Sequence, residues 1–276
     1  ALMSKIEYYH DVLNNPSMVD DIIKEDLADI VNRYGDERRT EIVIDEDEVD
    51  ADDLIQEEEM IVTLTHHGYI KRTASDNYRA QRRGGRGITG LATKEEDFAE
   101  DVFATSTHNY LLFFTTKGKV YVKKCYQIPE AGRTAKGMAI VNLLSLESGE
   151  KVSAVFPVEQ FEDDSNLVMV TRQGVIKKTA MSACARIRQN GLIAIAIREG
   201  DELISVLRTH GDDRVIIASR DGMAIAFHEG DVRPMGRVAV GVRGIKLRAG
   251  DEVIGASRLE EGQYVAAISE NGYGKR

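Results

Sequence analysis

Residues 111–124 read LLFFTTKGKVYVKK. An apolar run meets a polar turn, Gly118 closes the turn, and a second run of apolar and basic residues leaves it. Strand-forming residues on either side of a short glycine turn predict a β-hairpin. The same design occurs four more times, as IVTLTHHGYIKR (61–72), LVMVTRQGVIKK (167–178), VIIASRDGMAIAF (215–227) and VAAISENGYGKR (265–276). The turn glycines are Gly68, Gly118, Gly174, Gly222 and Gly272, at intervals of 50, 56, 48 and 50 residues.

A second glycine follows each of the first four: Gly87, Gly137, Gly191 and Gly241, offset by 19, 19, 17 and 19 residues. An arginine precedes each by four or five positions, namely Arg83, Arg133, Arg186 and Arg237. A third strand comes after an acidic turn, in AEDVFATST (99–107), GEKVSAVFPV (149–158), GDELISVLRT (200–209) and GDEVIGASRL (250–259). Each unit thus reads as about four short strands over some fifty residues. That period predicts propeller-type blades; a β-solenoid, usually of shorter repeat, is the competing architecture. The final hairpin opens a fifth unit that is not continued, so the expected shape is an open arc with an exposed strand edge near the C-terminus.

The chain has 276 residues and a net charge of −10, but that average hides two unlike parts. Residues 1–59 hold 5 basic and 20 acidic residues, whereas residues 60–276 hold 31 and 26. In the leader, Leu2, Ile6, Tyr9 and Val12 or Leu13 recur at helical spacing, LNNPS interrupts them, and a second stripe runs from Val19 to Tyr34. The expectation is a helical hairpin over residues 1–40, with Ser17 capping the second helix. Residues 41–59 carry 11 acidic and no basic residues. They read as a self-repelling linker, or as an acidic strip that competes with a polyanion for the basic body.

In the body the charge follows the repeat. The windows from first to second glycine together hold 17 basic and 4 acidic residues, and the rest of the body holds 14 and 22. By unit the net is +5, +4, +4 and 0. Blades in a ring present equivalent segments at equivalent places, so a basic rim is expected. Its candidates are Lys71, Arg72, Arg79, Lys123, Lys124, Arg133, Lys136, Lys177, Lys178, Arg186, Arg188 and Arg237. Cys125 and Cys184 read as reduced core thiols of a cytosolic protein. The six histidines show no ligand spacing, and no metal site is assigned. No run is long and apolar enough to span a membrane, and no signal peptide opens the chain. A chain that begins with Ala reads as a piece of a longer protein.

The first unit contains YRAQRRGGRGITGLAT (78–93), with the letters Gly85-x-Gly87-x-x-Gly90. A dinucleotide-binding turn needs an apolar strand before it and a helix after it, and neither is indicated here. Three arginines among these glycines fit a phosphate-binding loop better. QRRGGRG, Gln81, Arg82, Arg83, Gly84, Gly85, Arg86 and Gly87, resembles the seven-residue box of the DNA gyrase A family. YGDERRTEI (34–42) resembles the end of the helical tower of type IIA topoisomerases.

The resemblance covers the whole chain and implies the following. Residues 60–276 are most of a six-bladed, mainly β pinwheel around which duplex DNA is bent in a positive wrap. The box is needed for wrapping, with Arg86 where Lys is common. The partners are double-stranded DNA, bound without sequence specificity, and the remaining protein chains of an A2B2 enzyme, which are two gyrase B subunits plus one more copy of gyrase A. ATP and Mg belong to gyrase B, and this chain carries no cofactor. The cleaving tyrosine is upstream; Arg33-Tyr34 has its letters but ends a helix. Three alternatives stand beside this reading: the related domain of topoisomerase IV, which generally lacks an intact box, a propeller acting as a protein scaffold, and an independent nucleotide-dependent enzyme.

Overall fold

Four repeats of one three-strand unit, in which the third long strand returns to pair beside the first, build the body. The computed structural model describes residues 2–36, 54–78, 97–161, 164–188 and 190–276. The chain divides into two compact parts, residues 1–49 and 50–276. In the second part, unit 1 contributes β1 (Glu59–Thr65), β2 (Tyr69–Ala74) and β3 (Ala99–Ser106). Unit 2 contributes β4 (Tyr110–Thr115), β5 (Lys119–Lys124), β6 (Met138–Ala139) and β7 (Val152–Val158). Unit 3 contributes β8 (Asn166–Thr171), β9 (Val175–Ala180), β10 (Leu192–Ile193) and β11 (Leu203–Thr209). Unit 4 contributes β12 (Arg214–Ser219), β13 (Ala224–His228), β14 (Val242–Arg243) and β15 (Val253–Leu259). A last short hairpin pairs β16 (Ala267–Ile268) with β17 (Gly274–Lys275).

Four strands per unit is the expected number, but they do not all stay in one sheet. The sheets run β3-β1-β2-β6, β7-β4-β5-β10, β11-β8-β9-β14 and β15-β12-β13. The two-residue strand of units 2, 3 and 4 therefore completes the sheet of the unit before it. Met138 opposes Ile70, Leu192 opposes Val120 and Val242 opposes Ile176. The fourth sheet has three strands among the described residues, so β13 is an edge, and Ile225 on it and Met223 just before it are exposed.

The second glycines explain how the loan is made. Gly241 has φ +104°, and a Cβ there would lie 2.5 Å from the Ile176 carbonyl oxygen. Gly137 has φ +88° and the same 2.5 Å approach to the Ile70 carbonyl. Only a residue without a side chain passes that close to a neighbouring strand while in the left-handed region.

The hairpin turns share a chemistry of their own. Thr65, Thr115, Thr171, Ser219 and Ser269 stand three residues before the turn glycines. Their hydroxyl oxygens accept the backbone N–H of Tyr69, Lys119, Val175, Met223 and Tyr273 at 3.1–3.3 Å. The acidic turn of each unit closes the arrangement. Asp97, Asp201 and Asp251 accept the N–H of His67, Gln173 and Asp221 at 3.0, 2.9 and 3.0 Å, and Glu150 accepts the Thr115 hydroxyl at 2.6 Å. Burial alone would raise the Asp97 carboxyl, but the His67 N–H and its other donors hold it below the usual carboxylate range. Asp251 is held low chiefly by the Ser219 hydroxyl.

The core lies between sheets. Leu111, Phe113 and Tyr121 pack with Met60, Val62 and Ile70 of the first sheet. Leu112, Phe114 and Val120 face the other way, onto Leu167, Met169 and Ile195. Successive side chains of a strand point to opposite faces, so LLFF is apolar throughout because both faces are covered. A third cluster joins Val168, Val170 and Ile176 to Val215 and Ile217. Each fully buried side chain of this size is worth roughly 1.5–3 kcal/mol.

In the first part of the chain, α1 (Leu2–Asn14) and α2 (Pro16–Tyr34) are two helices joined by a single residue. The cap of α2 is Asn15, followed by Pro16 at the first turn; Ser17 instead donates its hydroxyl to the Asn15 side chain at 2.9 Å. Proline suits that position because its missing N–H has no helical partner there. Leu2, Leu13, Leu27 and Val31 are all exposed. No helix among the described residues is long and apolar enough to cross a membrane.

Candidate nucleic-acid interface

One edge of each of the four large sheets faces a common cavity. Asp101 of β3, Val155 of β7, Val206 of β11 and Ala256 of β15 line a space of about 430 Å³. The strands β3, β7, β11 and β15 are therefore innermost, and the borrowed strands β6, β10 and β14 are outermost. The segments leading into the borrowed strands run along the perimeter, and they carry the repeated arginines. Arg186, Arg188 and Arg237 are exposed. Arg133 and Lys136 are half-buried, with the Lys136 ammonium 3.6 Å from the centre of the Tyr69 ring.

Three of the expected rim residues are not on the rim. Lys71, Lys177 and Lys178 are 1%, 0% and 6% exposed. The Lys71 ammonium donates to the carbonyls of Gly132, at 3.3 Å, and Arg133. The Lys177 ammonium donates to the carbonyls of Ala194, at 2.6 Å, and Arg237. Lys178 donates to the Glu229 carbonyl at 2.7 Å and lies 3.8 Å from its buried carboxylate. The physical reason is the strand loan: the perimeter segment of the next unit lies over β2 and β9 and covers them. Burial lowers the Lys71 ammonium and pushes Lys177 down to about 8. Unpaired buried ammonium groups are costly, so each is ringed by carbonyl oxygens.

Other candidates are partly engaged. Arg72 donates from Nε to the Ile128 carbonyl at 2.7 Å and lies 3.5 Å from Glu130. Lys124 donates to the His108 carbonyl at 2.9 Å and stands over the Tyr110 ring. Lys123 is half-buried. Arg79 and the box residues Gln81, Arg82, Arg83, Gly84, Gly85, Arg86 and Gly87 lie outside the described residues.

The fading of the belt at unit 4 is also corrected. Glu229, one of the two acids in that window, is fully buried against Lys178, Thr209 and the Gly211 N–H. Arg233 is exposed within the window, and Arg243, Lys246 and Arg248 are exposed just beyond it, Arg243 on the outermost strand itself. A window that ended at the second glycine missed them. The signal that could have found them was the run VRGIKLR directly after Gly241.

Neither cysteine offers reactive chemistry. Cys125 and Cys184 are free and buried, and burial raises both thiols to about 11. No group of His, Cys, Asp and Glu side chains among the described residues is arranged to hold a metal ion.

The family model of the DNA gyrase C-terminal domain, a β-propeller, matches residues 59–106, 109–159, 165–210 and 213–260, one match per unit. The DNA gyrase A protein of Clostridium acetobutylicum is 51% identical over 243 residues, 88% of this chain and 29% of that protein. The Staphylococcus aureus gyrase A protein is 43% identical over 282 residues, 100% of this chain and 31% of that protein. The chain thus spans under a third of the length of these relatives. Among solved structures, a DNA gyrase A C-terminal domain aligns with TM-score 0.61 and 29% identity, covering 79% of this chain and 70% of that one. The C-terminal domain of DNA topoisomerase IV aligns with TM-score 0.65 and 26% identity, covering 75% and 63%. With all four units matched in sequence and the same sheet architecture in space, this chain belongs to the DNA gyrase C-terminal domain family of β-propellers.

Proposed function

We propose that this chain binds double-stranded DNA along the perimeter of its sheets and bends it into a positive wrap. The observation that carries the reading is exposed arginine ahead of two of the three outermost strands, Arg186 and Arg188 in unit 3 and Arg233 and Arg237 in unit 4, with Arg133 half-buried at the equivalent place in unit 2. Guanidinium forks suit phosphate oxygens, and a series of them along a curved rim offsets the cost of bending a duplex. Among the described residues no helix on the rim is placed to enter a groove and read bases, which supports binding without sequence specificity. The resemblance of Gln81–Gly87 to the gyrase A box supplies three further phosphate-binding arginines, Arg82, Arg83 and Arg86, from the sequence of unit 1.

On this reading the chain is part of the gyrase A protein of a type IIA topoisomerase, acting in the bacterial cytoplasm. Two copies each of gyrase A and gyrase B form the enzyme, with ATP and Mg on gyrase B. The wrap presents a neighbouring DNA segment for passage through a cleaved one, which introduces negative supercoils. The C-terminal domain of topoisomerase IV is the second reading, favoured by its TM-score of 0.65 and opposed by the QRRGGRG motif.

The test is to ligate nicked circular DNA in the presence of the chain and measure the linking number. A positive shift that grows with protein amount is expected. Binding without a shift would overturn wrapping, and absence of binding would overturn the DNA reading altogether.

A further inference from the structure

Two buried lysines grip the backbone of two perimeter arginines. Lys71 of unit 1 donates to the carbonyl of Arg133 in unit 2, and Lys177 of unit 3 donates to the carbonyl of Arg237 in unit 4. The lysines are equivalent: each stands three residues after its turn glycine, on the second strand of its hairpin. The arginines are equivalent too, four residues before Gly137 and Gly241. The third joint is built differently. Tyr121 takes the lysine position, its hydroxyl donates to Ser145 instead, and its ring lies 2.8 Å from where a Cβ on Gly191 would be.

We infer that Lys71 and Lys177 are positioning residues for phosphate binding, each fixing the backbone from which a perimeter arginine of the next unit reaches DNA. This rests on the DNA-wrapping reading. A guanidinium on a long side chain binds phosphate well only if its backbone is held, because otherwise ordering entropy offsets the contact. The backbone at Arg133 and Arg237 belongs to a segment whose strand is only two residues long, β6 or β14. The segment ahead of it is tied down two residues before each arginine, where the Ala131 N–H donates to the Arg72 carbonyl and the Met235 N–H to the Lys178 carbonyl. An ammonium with three donors carries that hold on to the carbonyls of Arg133 and Arg237 themselves, because it can bind two carbonyls at once. Two of the three joints between sheets thus carry a positive charge that never touches DNA.

The experiment uses the whole chain, a short duplex of mixed sequence and a titration at several salt concentrations. The variants are Lys177→Met, Arg237→Ala and both together, with Arg186→Ala in each background as control. Methionine matches the unbranched shape of lysine, so packing is conserved while the donors go. Wild type that fails to bind would sink the DNA reading and leave the lysine geometry aside. With wild type binding, Lys177→Met is expected to lower the log–log salt slope by about one unit, near 0.9 per phosphate. Arg237→Ala should then subtract nothing further in that background, while Arg186→Ala still subtracts its own share. An unchanged slope in Lys177→Met, or a full additional loss on adding Arg237→Ala, overturns the inference. Loss of the Arg186 contribution as well would mean general loosening of the ring and also overturns it. Lys71→Met with Arg133→Ala repeats the test at the other joint, where a failure of Lys177→Met to fold does not interfere.

Discussion

The buried ammonium of Lys177 donates to the carbonyl oxygen of Arg237, 60 residues further along the chain. A lysine that the sequence offers as a rim cation is thereby taken out of solvent, and its proton is held less firmly than usual. Burial brings the lysine from 10.5 to about 8. Below pH 8 both folded and unfolded chains hold the proton, and the folded state bears the whole desolvation cost. Between pH 8 and 10.5 the folded chain has released the proton and the unfolded chain still binds it, so stability rises with pH. The neutral amine keeps two N–H donors for the Ala194 and Arg237 carbonyls. Urea denaturation at pH 7.5 and pH 10 should show wild type gaining on Lys177→Met, by at most about 3 kcal/mol. A gap that narrows with pH would refute this.

The glycines at the strand loan should tolerate nothing larger. Gly241→Ala places a Cβ 2.5 Å from the Ile176 carbonyl oxygen at φ +104°. Left-handed strain of roughly 1–2 kcal/mol adds to the clash, so a loss above about 2 kcal/mol is expected. Gly222→Ala, at φ +82° with open space around it, should lose only the strain. Equal losses at the two sites in thermal or urea melts would contradict the close-approach argument.

The carboxylates that close the hairpin turns should shape acid unfolding. Asp97 and Asp251 are both held below their ordinary value, so their stabilisation is full above pH 4 and is lost as pH falls through the lower folded value. Asp251→Asn and Asp97→Asn should lower stability at pH 7 and flatten its decline below pH 4. A decline as steep as that of wild type would place the acid sensitivity elsewhere.

Phosphate contacts should be countable. Arg186→Ala with Arg188→Ala is expected to lower the salt slope of DNA binding by about two units, and the triple replacement of Arg82, Arg83 and Arg86 by about three, at roughly 0.9 per phosphate. Lys178→Met, by contrast, should leave the slope unchanged, because that ammonium is held inside by Glu229. A slope that falls in Lys178→Met would return that lysine to the rim.

The buried thiols give a simple check on the core. Raised to about 11, Cys125 and Cys184 should resist a thiol-specific reagent at pH 8 in the native chain and react fully in denaturant. Rapid reaction of either in the native state would contradict its burial.

Sequence alone determined the hairpins, their period and the family. A glycine at φ near +80° closes each hairpin, and LLFF is apolar at every position because two sheets cover it. Both are local facts, since turn geometry and strand alternation act over a few residues. The Thr or Ser three residues before every turn glycine is equally local, a hydroxyl closing its own turn.

What the sequence could not decide was which neighbour covers which strand. Lys71, Lys177 and Lys178 look like surface cations beside their own hairpins. They are core residues because a segment from the next unit, held by Gly137 or Gly241, lies over them. Conversely, Arg243 is exposed on the outermost strand of a sheet that its own unit did not begin, and Lys246 and Arg248 are exposed just beyond that strand. Charge is fixed by the residue, but its access to solvent depends on contacts between positions some sixty residues apart. Only the tertiary structure brings those positions together.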